Sequence, residues 1–182
     1  MIKNILVSLF TFISCISIVY AQEKIVSFYS STNTKHVASI ANSEREKDPE
    51  IDYFIDLCPG YGGYELVHSG GDLRSLINIK FGKKVSDLFG PTMNLAQGSF
   101  AHKSNDVVEW RGTLNGSHFV PHAIIYRLTG YSEVDANGKQ QEKTSLIVIA
   151  LNKGDAKVLG STKGKDEGEK ARKLADSVLQ KK

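Results

Sequence analysis

Cys58 stands in the stretch LCPGYGGYELVHSGGDLRS, residues 57–75, and a cysteine beside a glycine-rich turn is a place where a thiolate could be presented to a substrate. Its general base would come from His36, His68, His102, His118 or His122, with one of many Asp or Asn side chains to orient the imidazole. No local cysteine-hydrolase signature surrounds Cys58, and unpaired cysteine is among the most frequently buried residue types. Cys58 is therefore a weak nucleophile candidate set against an inert buried thiol and an intermolecular bridge. A phosphate loop would need GxxxxGK[ST], or GxGxxG leading into a helix; PGYGG fits neither spacing and a strand pattern follows it, which excludes nucleotide binding there.

His118 and His122, in HFVPH, would share a zinc ion only if they stood on a helix, and Pro121 with the β-rich flanks argues for a strand. Four residues along a strand span ~13 Å, so both rings share a face yet cannot clasp one ion. In DANGK, Asp135 and Asn137 resemble the start of a calcium loop whose later ligands are missing. No metal and no cofactor are expected. The aromatic side chains Tyr61, Tyr64, Trp110, Tyr126 and Tyr131 cluster near turns and strand ends, and the Tyr61 to Tyr64 turn is the first place to look for a binding surface. Trp110 reads as a core anchor with Glu109 and Arg111 on the opposite face of its strand.

The elements that position these residues are legible from turn chemistry. Asn115-Gly116 and Asn137-Gly138 each lie between apolar runs and suit type I′ hairpin turns, which need two positive φ angles. Gly70-Gly71 and Lys153-Gly154 suggest two more hairpins. In LRSLINIKF, Leu73, Ser75, Ile77, Ile79 and Phe81 share one face by alternation. AIIYRL and SLIVIAL are nearly continuous apolar runs, as in central strands covered on both faces. The cover is the terminal segment, where Ala171, Leu174, Ala175, Val178 and Leu179 recur at helical spacing. That spacing predicts an amphipathic helix over about 166–180, with Asp166 as its cap and Glu169 as capping-box partner. A shorter helix is expected near His36 to Glu46, and Lys83 to Asn105 reads as a long loop. The expected fold class is α+β: an antiparallel β-meander sheet with the C-terminal helix packed on it.

At the amino terminus, Lys3 precedes the apolar block ILVSLFTFISCISIVY, which ends at Ala21; this is the pattern of a cleaved secretory leader, residues 1–21. The block is below the ~20 apolar residues a spanning helix needs, so no membrane anchor is expected after cleavage. Cys15 has a poor lipobox before it and goes with the leader. What is left, residues 22–182, suits a single domain. The chain carries 23 Lys+Arg against 20 Asp+Glu, and removing Lys3 leaves 22 against 20. Basic and acidic residues are interleaved, as in KGKDEGEKARK, so nucleic acid is not an expected partner. With Cys58 as the one cysteine beyond the leader, no internal disulfide can staple the fold.

The pattern CPGYGGYELVHSGGDLRS, then VEWRG and EKARKLADSV, resembles small Sec-exported alphaproteobacterial proteins of unknown function. The resemblance covers most of residues 22–182 and implies export and an α+β fold, and it supplies no activity. It also implies a second cysteine upstream of CPGYGG, which residues 22–57 lack, so the disulfide of those proteins has no counterpart here. The Lys, Ile, Asn and Ser-rich wording is similar to that of Sec-dependent secreted effectors of host-restricted bacteria. The resulting expectation is an exported, periplasmic or secreted, non-catalytic protein acting through a binding surface on another protein, with a host protein as one partner class. A Cys58-dependent hydrolase or transferase and a periplasmic housekeeping protein are the alternatives.

Overall fold

The structure, a computed structural model, describes residues 24–34, 53–98 and 100–181. The leader expected over residues 1–21, with Cys15, as well as His36 and the helix expected near His36 to Glu46, lie outside the described residues.

Among the described residues, nine strands form two antiparallel sheets. The first is ordered β1-β6-β7-β8-β9 and the second β2-β3-β4-β5. The strands are β1 Lys24–Ser31, β2 Phe54–Cys58, β3 Tyr64–Gly71, β4 Arg74–Phe81, β5 Lys84–Ser86, β6 Phe100–Asn115, β7 His118–Tyr131, β8 Glu142–Asn152 and β9 Asp155–Thr162. A short helix α1, Phe89–Met93, joins the sheets, and helix α2, Glu167–Asp176, runs into a 3-10 turn, Ser177–Lys181. The α+β class and the C-terminal helix on a sheet are as the sequence predicts. The single meander is not: hairpins link β2 to β5 and β6 to β9, but β1 pairs with β6, and two sheets stand where one was expected.

Three layers result. Cys58, Tyr64, Leu66, Ile77 and Ile79 of the small sheet meet Trp110, Ile124, Tyr126, Ile147 and Ile149 of the large one in one apolar core. Alternation sends Ala123, Ile125 and Val148 to the other face, where they pack on Ala171, Leu174 and Ala175 of α2. This explains why AIIYRL and SLIVIAL read as continuous apolar runs: their strands are buried on both sides. The two fully buried alanines let the helix axis settle close to the sheet. Trp110 is fully buried with its indole N–H donated to Ser30 Oγ at 2.8 Å, so the large ring fills the core while its polar edge is satisfied by β1.

Several local expectations are corrected. The turn between β3 and β4 is Asp72-Leu73, with φ of 49° and 60°, and Gly70-Gly71 stays in the strand. Glycine is needed at 70 because a Cβ there would lie 2.6 Å from the Phe54 ring. Leu73 is consequently exposed in the turn; Ser75, Ile77 and Ile79 keep the shared inward face, and Leu76 is buried on the opposite face. At Asn115-Gly116 only Gly116 has positive φ and Asn115 pairs with His118, the pattern of a type II′ turn over Gly116-Ser117. Asn137-Gly138 sits in a longer connection, in which Asp135 Oδ1 accepts the N–H groups of Asn137 and Lys139 at 2.9 Å each. Lys153-Gly154 is a type I′ turn, φ 48° and 87°. The long loop over Lys83 to Asn105 holds β5, α1 and the start of β6, because Gly82 turns the chain back and the Leu88 N–H is caught by Asn78 Oδ1 at 2.8 Å. Asp166 occupies the helix cap position at φ 60° and makes no side-chain capping bond, so the capping box is not formed. The first turn is held instead by an ion pair of Glu167 with Arg127 at 2.6 Å.

Candidate functional site

The segment from Cys58 to Tyr64 turns the chain from β2 into β3, closed by the Tyr64 N–H donating to the Tyr61 carbonyl at 3.1 Å. Its glycines answer to packing. A Cβ on Gly60 would lie 2.3 Å from the Tyr64 carbonyl oxygen and 2.6 Å from the Trp110 ring, and one on Gly62, already at φ 63°, would lie 2.4 Å from Pro121. The turn is pressed onto the core tryptophan and the β7 proline, and only glycine fits there.

The two tyrosines of this turn serve different surroundings. The Tyr61 ring packs against Phe28, Trp110 and Phe119 at centroid distances of 5.5–5.8 Å, and its hydroxyl donates to the Tyr29 carbonyl at 3.1 Å. It lines a cleft of about 640 Å³ together with Tyr29, Pro59 and Val107. Tyr64 is buried, its ring tilted against Phe81 at a centroid distance of 4.7 Å, and its hydroxyl accepts the Gly154 N–H at 2.9 Å. It borders a second cleft of about 770 Å³ at the end of the sandwich. The Tyr61 to Tyr64 turn thus divides two clefts, and Tyr64 belongs mainly to the core.

Cys58 is fully buried in the core between the sheets, and its thiol donates to the Thr32 carbonyl at 3.3 Å. A substrate could reach this sulfur only if the sandwich opened. The histidines are dispersed: His68 packs on Phe54 at 4.9 Å, His102 Nε2 lies 3.2 Å from the Gly98 carbonyl oxygen, His118 is exposed at the start of β7, and His122 Nε2 lies 3.1 Å from Asp176 Oδ1. Among the described residues, no three His, Cys, Asp or Glu side chains gather as a metal-holding group. The Asp135 carboxylate is engaged by the backbone of its own turn.

The densest polar constellation lies where α2 crosses the outer face of β6. Arg111 donates to both Asp176 carboxylate oxygens, at 3.1 and 2.5 Å, and to Ser27 Oγ at 2.9 Å. Ser27 in turn donates to Glu109 at 2.6 Å, and Glu109 receives two bonds from Arg172, at 2.7 and 3.0 Å. The match has a simple origin: two residues along a strand advance about 6.6 Å and four along a helix about 6 Å, so Glu109 and Arg111 face Arg172 and Asp176 in step. Burial raises the Asp176 pKa, but the bonds from Arg111 and His122 outweigh it and hold the carboxyl below its usual range. Glu109 pushes the already high Arg172 pKa higher. Sequence reasoning placed Glu109 and Arg111 together on one face and missed their partners; the i, i+4 pair Arg172 and Asp176 carried the signal, unreadable without knowing that the helix lies over β6.

Apolar side chains also remain in the open along β1 and beside it: Phe28 at 38 % exposure, Tyr29 at 53 % and Val107 at 59 %. Lys24 is the sole charged residue of β1, which forms one edge of the large sheet. Comparison with protein-family models, with curated proteins and with solved structures finds no match to this chain.

Proposed function

We propose that this chain is an exported, non-catalytic protein that acts by binding another protein outside the cytoplasm, a host protein being the partner its effector-like wording suggests. The observation that carries the reading is the exposed apolar surface at the β1 edge, where Tyr29 and Val107 line the Tyr61 cleft and Phe28, on the other face of the strand, stands partly exposed against the Tyr61 ring. An edge strand with one charge and exposed aromatic rings offers a partner both backbone groups and apolar contact. Exposed apolar side chains gathered at a cleft mark interaction sites. Export rests on the apolar leader of residues 1–21 and on the resemblance of CPGYGGYELVHSGGDLRS to small exported proteins.

A photo-crosslinking amino acid placed at Val107 tests the surface, with the same group at the exposed Val85 of β5 as control. The expected result is a discrete adduct from position 107 alone, suppressed when Tyr29→Asp is added. Equal labelling from both positions, or none from 107, would sink the surface. Protein found only in the cytoplasm with residues 1–21 intact would sink the export.

A further inference from the structure

The cleft at the end of the sandwich shares no lining residue with the Tyr61 cleft and has its own chemistry. All three layers contribute to it: Tyr64 and Phe81 from the small sheet, Leu151 from the large one, and Val178 and Leu179 from the turn after α2. Val178 and Leu179 end the apolar stripe of the helix, yet both stay half-exposed, because the stripe runs past the sheet and over this opening. The cleft therefore has apolar walls of a size that suits a small molecule.

Its ionisable side chains other than Tyr64 are all basic, beside the neutral Thr113 and Asn152. His118, His122 and Lys153 line it and, among the described residues, no acidic one does. The carboxylate in contact with a lining residue, Asp176 against His122, is already held by Arg111. The Tyr64 hydroxyl, more than nine-tenths buried, accepts the Gly154 N–H; its own proton has no acceptor shown among the described residues. Beside it, Lys153 occupies a type I′ position at φ 48°, where Asn, Asp or Gly would be less strained, so the turn itself does not explain a lysine.

We infer that this cleft binds a small amphipathic anion, its acidic head taken by Lys153, His118 and the Tyr64 O–H, and its apolar body laid along Phe81, Leu151, Val178 and Leu179. Apolar contact provides affinity and the cationic end selects charge, since a neutral molecule of the same shape leaves the head groups without a partner.

Two fluorescent probes with similar aromatic bodies separate these contributions: anionic 8-anilinonaphthalene-1-sulfonate and neutral N-phenyl-1-naphthylamine, titrated into the purified protein. The anionic probe should saturate one site and bind about tenfold more tightly than the neutral one, as expected for a charge-assisted contact. Lys153→Asn keeps a residue that accepts positive φ and removes the charge; it should weaken the anionic probe about tenfold and leave the neutral one unchanged. Lys139→Asn, in the distant turn between β7 and β8, should alter neither, and Tyr64→Phe should weaken the anionic probe several-fold. Decanoate or decyl phosphate should displace the probe, the tighter one identifying the head group, while decanol should not. Equal affinity for the two probes, displacement by decanol as readily as by the acids, or an unchanged response in a folded Lys153→Asn protein would overturn the inference.

Discussion

Replacing Asp176 with Asn isolates what fastens the C-terminal helix to the sheet. The carboxylate receives two charge-assisted bonds from Arg111, at 3.1 and 2.5 Å, and lies 3.1 Å from His122 Nε2. Its side chain is 25 % exposed and that of Arg111 13 %, so solvent screens the pair only in part. Hydrogen bonds to charged groups contribute about 1.5–3 kcal/mol each, but the two from Arg111 are not additive, and Asn retains one acceptor oxygen. The expected loss is about 2 kcal/mol, which for a domain of this size corresponds to a fall in Tm of roughly 4–8 °C. Urea unfolding at pH 7 measures it, and a double-mutant cycle with Arg111→Gln should return a coupling above about 1 kcal/mol. Because the folded-state pKa of Asp176 lies below its unfolded value, its contribution is fully present above the unfolded carboxylate pKa and disappears as pH falls through the folded one. The gap between wild type and variant should therefore close on acidification. A coupling within about 0.3 kcal/mol of zero, or a gap that does not narrow in acid, would refute the account of α2 as held by this pair.

Gly60→Ala should destabilise the fold by about 3 kcal/mol, since the added methyl meets a backbone oxygen and a buried indole that cannot yield, whereas Gly168→Ala in the first turn of α2 meets nothing within 4 Å and should stabilise by about 0.5 kcal/mol; equal effects in urea unfolding would contradict the packing argument. Burial pushes the Tyr126 hydroxyl from its usual 10.0 up to about 12, so the folded state keeps a proton that the unfolded state loses, and stability should fall by about 2 kcal/mol between pH 10 and 12. Tyr126→Phe should flatten that decline, and an unchanged alkaline slope would show that other groups control it.

What could be read in advance followed from local rules. Continuous apolar runs at AIIYRL and SLIVIAL identified doubly covered strands, and the Ala171 to Leu179 spacing identified the covering helix, because both patterns are set by the period of a single element. The division into two sheets was not legible, since the break falls between β5 and β6 while β1 joins β6 from across the sequence of the small sheet, and hairpin signals speak only of neighbours. Asp72-Leu73 escaped notice for a different reason: glycine at 70 serves the approach of Phe54, so the visible glycine pair and the actual turn are two residues apart. At the candidate sites, Tyr61 and Tyr64 were found through their turn, but which way each ring pointed was decided by Trp110 and Phe81 on other strands. The charge pairs of α2 with β6 required the same distant knowledge.

The pairing of β1 with β6 also dictates an order of events. Ser27 and Glu109 are 82 positions apart, while every other strand pairing among the described residues joins consecutive strands. Closing a loop of that length costs roughly 4 kcal/mol in its length-dependent part, to be met before any β1 contact forms, whereas the hairpins from β6 to β9 close over short spans. Among the described strands, the first to leave the ribosome thus cannot complete its pairing until β6, ending at residue 115, has followed it. Topology of this kind slows folding, and the strand added last is also among the first to detach in the native protein. Hydrogen exchange along Lys24–Ser31 should accordingly outpace that of β7 and β8, which leaves an edge with exposed aromatic rings also ready to exchange one neighbour for another.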